Sequence, residues 1–314
     1  MTNFFDIDQF SLTVKLLVDR APLLARYTTF QLGGPCPFLV SAQSPEDLRS
    51  AVACFQAHNI HDFLVIGEGS NILFSDAGIS IPAIRYYSTT PQIVKNYCDV
   101  TVAASTKLDD LALFCAREGL EGLGFASGIP GTVGGAIAGN AGAFGKQVSD
   151  ALFSVVTVGR DGIEKEYAAQ ECDFGYRRSR FQASGEIILT ARFLLKKNSP
   201  EATMKERSDL LAQRKEKHPD YRTVPCAGSF FKNIDSLVAG QRRQAAGLLL
   251  DQAGAKQMSV GGAGVFEKHA NIIIKRTESC TARDVYLLSR QMQDAVEKKF
   301  GIVLTPEVRF WGEF

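Results

Sequence analysis

The chain has 314 residues, of which 45% are hydrophobic and 22% charged. That is the balance of a globular protein too long for one ordinary core, so two or three domains are expected. The formal net charge is +1, which excludes a basic field that gathers nucleic acid non-specifically and leaves any anionic ligand to local groups.

The seven cysteines are scattered and no C-x-x-C pair occurs, so reduced thiols and a cytoplasmic setting are expected. Residues 1–9 hold acids and no basic stretch followed by an apolar run, so no signal peptide is expected. The longest apolar runs, such as 248–250 and 272–274, are far too short to span a bilayer. His58 and His61 lack a third ligand nearby and read as a solvated helix end, so no metal is expected.

In chain order, Ser44-Pro45-Glu46-Asp47 predicts a helix start, with a capping serine, a proline for the first turn and two acids at the positive end of the dipole. Leu48, Val52 and Phe55 then share one face. An apolar strand at 63–66 runs into Gly67-Glu68-Gly69-Ser70-Asn71, the order found in small α/β units. Val100 and Val102 alternate as in a strand, and Leu108, Leu111, Ala112 and Cys115 mark an amphipathic helix. Residues 122–145 carry 9 of the 28 glycines. Strands resume at 154–158 and 187–195. The polar stretch 196–200 marks a domain boundary, followed by a charged helix over 201–217. Residues 241–255 read as a helix. Thr281-Ala282-Arg283-Asp284 resembles a capping box, and Val285, Leu288, Met292 and Val296 carry that helix to Phe300. Residues 302–311 predict a final strand.

Two glycine-rich segments stand out. The 67–71 turn can form a backbone nest for an anion, with Ser70 and Asn71 as added donors. It is neither a Walker loop nor the six-residue dinucleotide fingerprint, and on its own a plain tight turn is the simpler reading. Gly128-Ile129-Pro130-Gly131-Thr132-Val133-Gly134-Gly135 weakens any regular core element. Its interleaved Ile129, Val133, Ile137 and Phe144 are unlike a linker. A backbone packed on a flat cofactor fits better.

These segments resemble one family. Thr28-Thr29-Phe30 with Gly33-Gly34, the 67–71 turn, and the 128–135 segment with Asn140-Ala141-Gly142-Ala143 are similar to the UDP-N-acetylenolpyruvoylglucosamine reductases (the MurB family). So are Tyr176-Arg177-Arg178-Ser179-Arg180-Phe181, Ala227-Gly228-Ser229-Phe230-Phe231-Lys232-Asn233, Glu267-Lys268-His269-Ala270-Asn271 and Leu304-Thr305-Pro306-Glu307-Val308-Arg309. The match runs from about residue 20 to the C-terminus. Only 52 positions separate Arg177 from Ser229, so the chain resembles the second, shorter type, without the extra tyrosine-bearing substrate loop. It departs at Ile234, where the family often has proline, and at Cys226.

The resemblance implies an α+β, three-domain FAD-binding fold of the vanillyl-alcohol-oxidase (PCMH) type with a separate substrate domain. Flavin subdomains are expected over 1–84 and 85–200, a substrate domain over 201–300, and a C-terminal strand over 301–314. It implies NADPH-dependent reduction of UDP-N-acetylglucosamine enolpyruvate to UDP-N-acetylmuramate through non-covalent FAD, by a monomer without nucleic-acid or membrane partners. The implied catalytic residues are Arg177 as charge stabiliser, Ser229 as proton donor and Glu307 as C-terminal carboxyl. Flavin contacts are implied at Gly67, Glu68, Gly69, Ser70, Asn71, Ser127, Gly128, Ile129, Gly131, Thr132, Gly134, Gly135, Asn140, Ala141 and Gly142. Lys232 and Asn233 are candidates for the substrate's diphosphate or sugar, and Lys217 is a weaker one. Without the family match, Arg177 reads as a solvated face, Ser229 as a turn residue and Glu307 as an exposed strand residue.

Two rivals remain at this level. One is another flavin oxidase of the same fold acting on a small alcohol, which needs a base rather than a proton donor. The other is a flavin- or nucleotide-sugar-binding regulator with no turnover.

Overall fold

The computed structural model describes residues 7–235 and 243–314. The chain forms two compact units. The first combines the described part of Met1–Ala21 with Pro37–Glu68 and Ile81–Ala212, and the second combines Pro22–Cys36, Gly69–Ser80 and Gln213–Phe314. The units therefore interleave along the chain, and the 67–71 turn is divided between them. The helix expected over 201–217 forms as Pro200–Lys217. Its first half packs within the first unit: Thr203 Oγ1 donates to the Ala116 carbonyl at 2.6 Å, and Arg207 is only 7% exposed.

The first unit holds two larger sheets and two two-stranded ones. One larger sheet has the order Leu17–Arg20, Phe38–Ala42, Ala83–Tyr86, Leu64–Ile66. Its first pair is antiparallel and the other pairs are parallel, with Ile84 level with both Val40 and Val65. The other is antiparallel, in the order Glu164–Ala168, Leu152–Val158, Ile187–Leu194, Asp99–Ala103, Ile93–Asn96. The predicted helix start is present. Ser44 accepts the Asp47 N–H, and Asp47 accepts the Ser44 N–H, at the head of Pro45–Ala57, an arrangement worth about 1 kcal/mol. Phe55 packs edge-on against Phe63 at 4.9 Å and joins Phe10 and Phe38 in the core. His58 closes this helix and is partly buried rather than solvated. Its ring packs on Phe10 at 5.2 Å.

The second unit is α+β as well. Ser259–Val260, Ala263–Phe266 and His269–Lys275 form an antiparallel sheet. The long helix Ala282–Phe300 lays Val285, Leu288, Met292 and Val296, all fully buried, into its core. Thr281 and Asp284 form the expected capping box, and the Asp76 carboxylate accepts the Ala282 and Arg283 N–H groups at 2.8 and 3.0 Å. Two further donors of the first turn are thereby satisfied.

Three expectations need correction. The helix expected over 241–255 spans only Ala246–Gln252, while Gln241 and Arg242 lie outside the described residues. The final strand is only Arg309–Trp311, parallel to Ile72–Phe74. Before it, Pro306 has no N–H to continue a ladder, and the chain makes isolated bonds to Phe230 and Lys232 instead. The glycine segment contains a helix, Val133–Ala138, which its composition argued against. Thr132 caps it, and Val133 and Ile137 are fully buried, so tertiary packing overrides glycine's low propensity.

Candidate functional site

In the first unit, Gly67 and Glu68 follow the parallel strand Leu64–Ile66. A Cβ at Gly67 would stand 2.4 Å from Thr132 Oγ1, and the Gly131 N–H donates to the Glu68 carboxylate. The turn and the 128–135 segment therefore meet, and glycine is required for that approach. The donors at the start of Val133–Ala138 are used inside the protein. Val133 donates to Thr106 O and Gly134 to Ala104 O, each at 2.9 Å, and Gly135 donates to Thr132 Oγ1 at 3.3 Å. That helix end does not receive an anion. The segment instead leaves Gly128, Ile129, Gly131 and Gly134 partly exposed and Gly135 exposed. Ser127 is fully buried beneath it.

Asp109 holds the segment from below. Its carboxylate accepts the Gly128 N–H at 2.7 Å and a two-pronged contact from Arg207 at 2.7 and 3.0 Å. Sequence reading missed this pair, because nothing in the local pattern links positions so far apart. It also missed Lys107, whose ammonium lies 5.6 Å from the Tyr87 ring centre, with Arg85 at 4.4 Å from the same ring. Hydrogen bonding to Tyr87 raises the Lys107 pKa, and Glu68 adds to the effect.

Arg177 also belongs to the first unit. It sits in a tight turn closed by mutual Gly175 and Arg178 backbone bonds at 3.0 and 3.2 Å. Its φ is +52°, a conformation that costs a non-glycine residue about 1–2 kcal/mol. One guanidinium N–H donates to the Gly142 carbonyl at 2.9 Å. Asn140 is 1% exposed. Its amide donates to Gly175 O at 2.9 Å and to Gln147 Oε1 at 3.2 Å, and its oxygen accepts the Ser149 N–H. The Ala141 N–H donates to Ala136 O at 2.7 Å.

In the second unit, Gly69, Ser70 and Asn71 are tied to the C-terminal segment. Gly69 has φ +68°, and a Cβ there would lie 2.1 Å from the Tyr27 carbonyl oxygen. Its carbonyl accepts the Thr29 N–H at 3.2 Å, while among the described residues its own N–H has no acceptor. Asn71 Nδ2 donates to Glu307 O at 3.2 Å, and the Arg309 N–H donates to Asn71 O at 3.1 Å.

Ser229 lies on the next stretch of backbone. Thr29 and Cys226 bind each other, through Thr29 Oγ1 to Cys226 O at 2.7 Å and the Cys226 N–H to Thr29 O at 3.2 Å. Beyond the serine, Phe230 donates to Asn271 O at 2.7 Å, and the Asn271 side chain clamps both backbone groups of Phe231 at 2.9 and 2.8 Å. Glu307 donates its N–H to Phe230 O at 2.8 Å, and Lys232 to Thr305 O at 2.9 Å. The structure therefore brings the Ser229, Lys232 and Glu307 backbones together. Ser229 is partly exposed, and its hydroxyl makes no hydrogen bond among the described residues. Asn233 supports the neighbouring helix, because its side-chain oxygen Oδ1 accepts the Ala246 N–H at 3.1 Å, at the start of Ala246–Gln252. Ile234 donates to Gln244 O at 3.0 Å, a bond that a proline there cannot make. Burial raises the Cys226 thiol pKa, which keeps that group protonated and inert. Lys217 is exposed.

Comparisons with known proteins identify the family. A family model described as UDP-N-acetylenolpyruvoylglucosamine reductase, C-terminal domain, matches residues 218–311, and one described as FAD binding domain matches 36–165. The UDP-N-acetylenolpyruvoylglucosamine reductase of Carboxydothermus hydrogenoformans is 39% identical over 92% of this chain and 92% of its own. That of Lachnoclostridium phytofermentans is 36% identical over 92% and 91%. The crystal structure of the Thermus caldophilus enzyme superposes with a TM-score of 0.77 at 31% identity, over 95% of this chain and all of its own. The chain belongs to the UDP-N-acetylenolpyruvoylglucosamine reductase family.

Proposed function

We propose that this chain reduces UDP-N-acetylglucosamine enolpyruvate to UDP-N-acetylmuramate with electrons from NADPH, using FAD, in the synthesis of peptidoglycan precursor. Its residues fit a flavin dinucleotide. Gly69 offers a buried backbone N–H that no described protein group takes, and a buried donor of that kind calls for an acceptor. The 128–135 segment offers four glycines that are partly or fully exposed, whose bare backbone is suited to a flat ring. Gly67, Glu68, Gly69, Ser70, Asn71, Ser127, Gly128, Ile129, Gly131, Thr132, Gly134 and Gly135 would hold it. None is a histidine or cysteine that could tether it covalently. The first unit's two larger sheets support two flavin subdomains, with the change from one sheet to the other falling between Ala83–Tyr86 and Ile93–Asn96 rather than at residue 84.

When bound, FAD supplies a hydride, received from NADPH, to the methylene carbon of the enolpyruvyl group. Charge then develops on the adjacent carbon and its carboxylate. Arg177 pairs with that carboxylate and stays charged. Ser229 gives its proton to the adjacent carbon, and a hydroxyl is acid enough for a carbanion. Glu307 orients and stabilises this end of the substrate. Lys232 binds the diphosphate, with Asn233 beside it.

The observation that carries the reading is the Ser229 hydroxyl, held on fixed backbone with no protein partner among the described residues. A cytoplasmic setting and a monomeric state belong to the same proposal. No helix among the described residues is long and apolar enough to cross a membrane.

Turnover in D2O with NADPH tests the chemistry. The product should gain one solvent deuterium at the carbon bearing the carboxylate, while the hydrogen added at the methyl carbon passes through the flavin N–H, which exchanges with solvent, and is not diagnostic. Absence of solvent deuterium at the carbon bearing the carboxylate, or no reduced product, contradicts it.

A further inference from the structure

We propose that Asn140 is a positioning residue for Arg177 rather than a flavin contact. The inference rests on the reading of Arg177 as the group that holds the substrate carboxylate. Both Asn140 amide protons are committed inside the protein, to Gly175 O and Gln147 Oε1, so its side chain has no N–H left for a cofactor. Its two acceptors lie at the two places that fix Arg177. Gly175 O is at the base of the turn that carries Arg177. Gln147 is the hairpin partner of Gly142, whose carbonyl accepts the Arg177 guanidinium. One buried amide thus joins both backbone pieces that Arg177 spans, and the Ser149 N–H fixes that amide from its other end.

The position also suits asparagine. Its φ is +42°, a left-handed conformation that asparagine tolerates better than most side chains. The arrangement has a chemical reason. A two-pronged guanidinium–carboxylate contact depends on angle as well as distance, and a displacement of about 1 Å at a reacting group can cost about 100-fold in rate. Arg177 already holds a strained φ of +52°, so its turn relaxes if the amide is lost.

Two variants test this. Asn140→Gly keeps the positive φ and deletes the side chain. Asn140→Asp keeps an acceptor for Ser149 and removes both donors. Each should copurify with a full complement of FAD and be reduced by NADPH within about threefold of the parent, while flavin reoxidation by substrate slows about 10- to 100-fold. In an Arg177→Ala background, where reoxidation is already slow, neither should slow it further, because residues that act through one another are not additive. Loss of FAD, or equal slowing of both half-reactions, overturns the inference and returns Asn140 to the flavin or the fold. Full multiplicative slowing in the Arg177→Ala background overturns it too, while leaving Arg177 as the carboxylate group. Unchanged reoxidation in Arg177→Ala alone overturns the reading of Arg177 and the inference with it.

Discussion

The backbone N–H of Glu307 donates to the carbonyl of Phe230 at 2.8 Å, which locks the C-terminal segment against the residue that follows Ser229. Asn71 joins the same assembly through its side-chain bond to Glu307 O at 3.2 Å. Three sequence motifs, the first and last separated by more than two hundred positions, thus share one hydrogen-bonded frame in the second unit. Their chemistry can be separated by step.

Ser229→Ala should leave flavin reduction by NADPH within about threefold and slow reoxidation by substrate by about 10²–10⁴, the range for loss of a positioned proton donor. The backbone around it is held by Asn271, Thr29 and Glu307, so the fold should persist. Stopped-flow traces of each half-reaction separate the steps. Equal slowing of both would make Ser229 structural.

Gly69→Ala should lose FAD. The added Cβ meets the Tyr27 carbonyl oxygen at 2.1 Å and Thr28 Cα at 2.8 Å, and φ of +68° adds about 1–2 kcal/mol. Gly145→Ala is the control, since its φ is +79° but nothing lies within 4 Å of the new methyl. The ratio of visible to ultraviolet absorbance should fall sharply in the first variant and stay near the parent value in the second. A fully yellow Gly69→Ala protein contradicts the role given to this turn.

The pairing of His218 and His269 predicts a pH dependence of stability. Their rings lie 5.4 Å apart, and His218 Nδ1 is buried without a partner among the described residues. Burial, then His269, Arg214 and Lys217, lower the His218 pKa to about 4, and burial lowers that of His269 as well. The unfolded chain binds protons from about pH 6.5 downward while the folded chain resists until about 4. Folding stability therefore falls as pH drops through that window. His218 should account for about 2 kcal/mol of the fall, allowing for its partial exposure. Urea midpoints measured from pH 7 to 4 should show a shallower decline in His218→Gln. Identical slopes in the two proteins would show that the pair does not govern the acid sensitivity.

The elements most legible in the sequence were those with local chemistry. Ser44 with Asp47, and Thr281 with Asp284, announce their helices because capping needs residues only three apart. The motif residues were legible through family likeness, not through geometry. Asp109 and Arg207 form the carboxylate–guanidinium contact beneath Gly128, yet neither stands in a recognisable pattern, because only the fold brings them together. The Val133–Ala138 helix was hidden by its glycines, which serve close approach: a Cβ at Gly134 would meet that of Ala104 at 3.0 Å. Asn140 reads as a motif residue either way, and only its hydrogen bonds separate a support for Arg177 from a flavin contact. The interleaved units were equally hidden, since Pro22–Cys36 and Gly69–Ser80 carry no compositional break from their neighbours.

The most direct test of the proposed function is anaerobic. Purified protein should be yellow, one equivalent of NADPH should bleach it, and UDP-N-acetylglucosamine enolpyruvate alone should then restore the oxidised flavin spectrum within the time of a catalytic turnover. A reduced protein that stays bleached with this substrate, yet reoxidises with the carbonyl product of a simple alcohol, would contradict the central claim and favour an alcohol oxidase on the same fold.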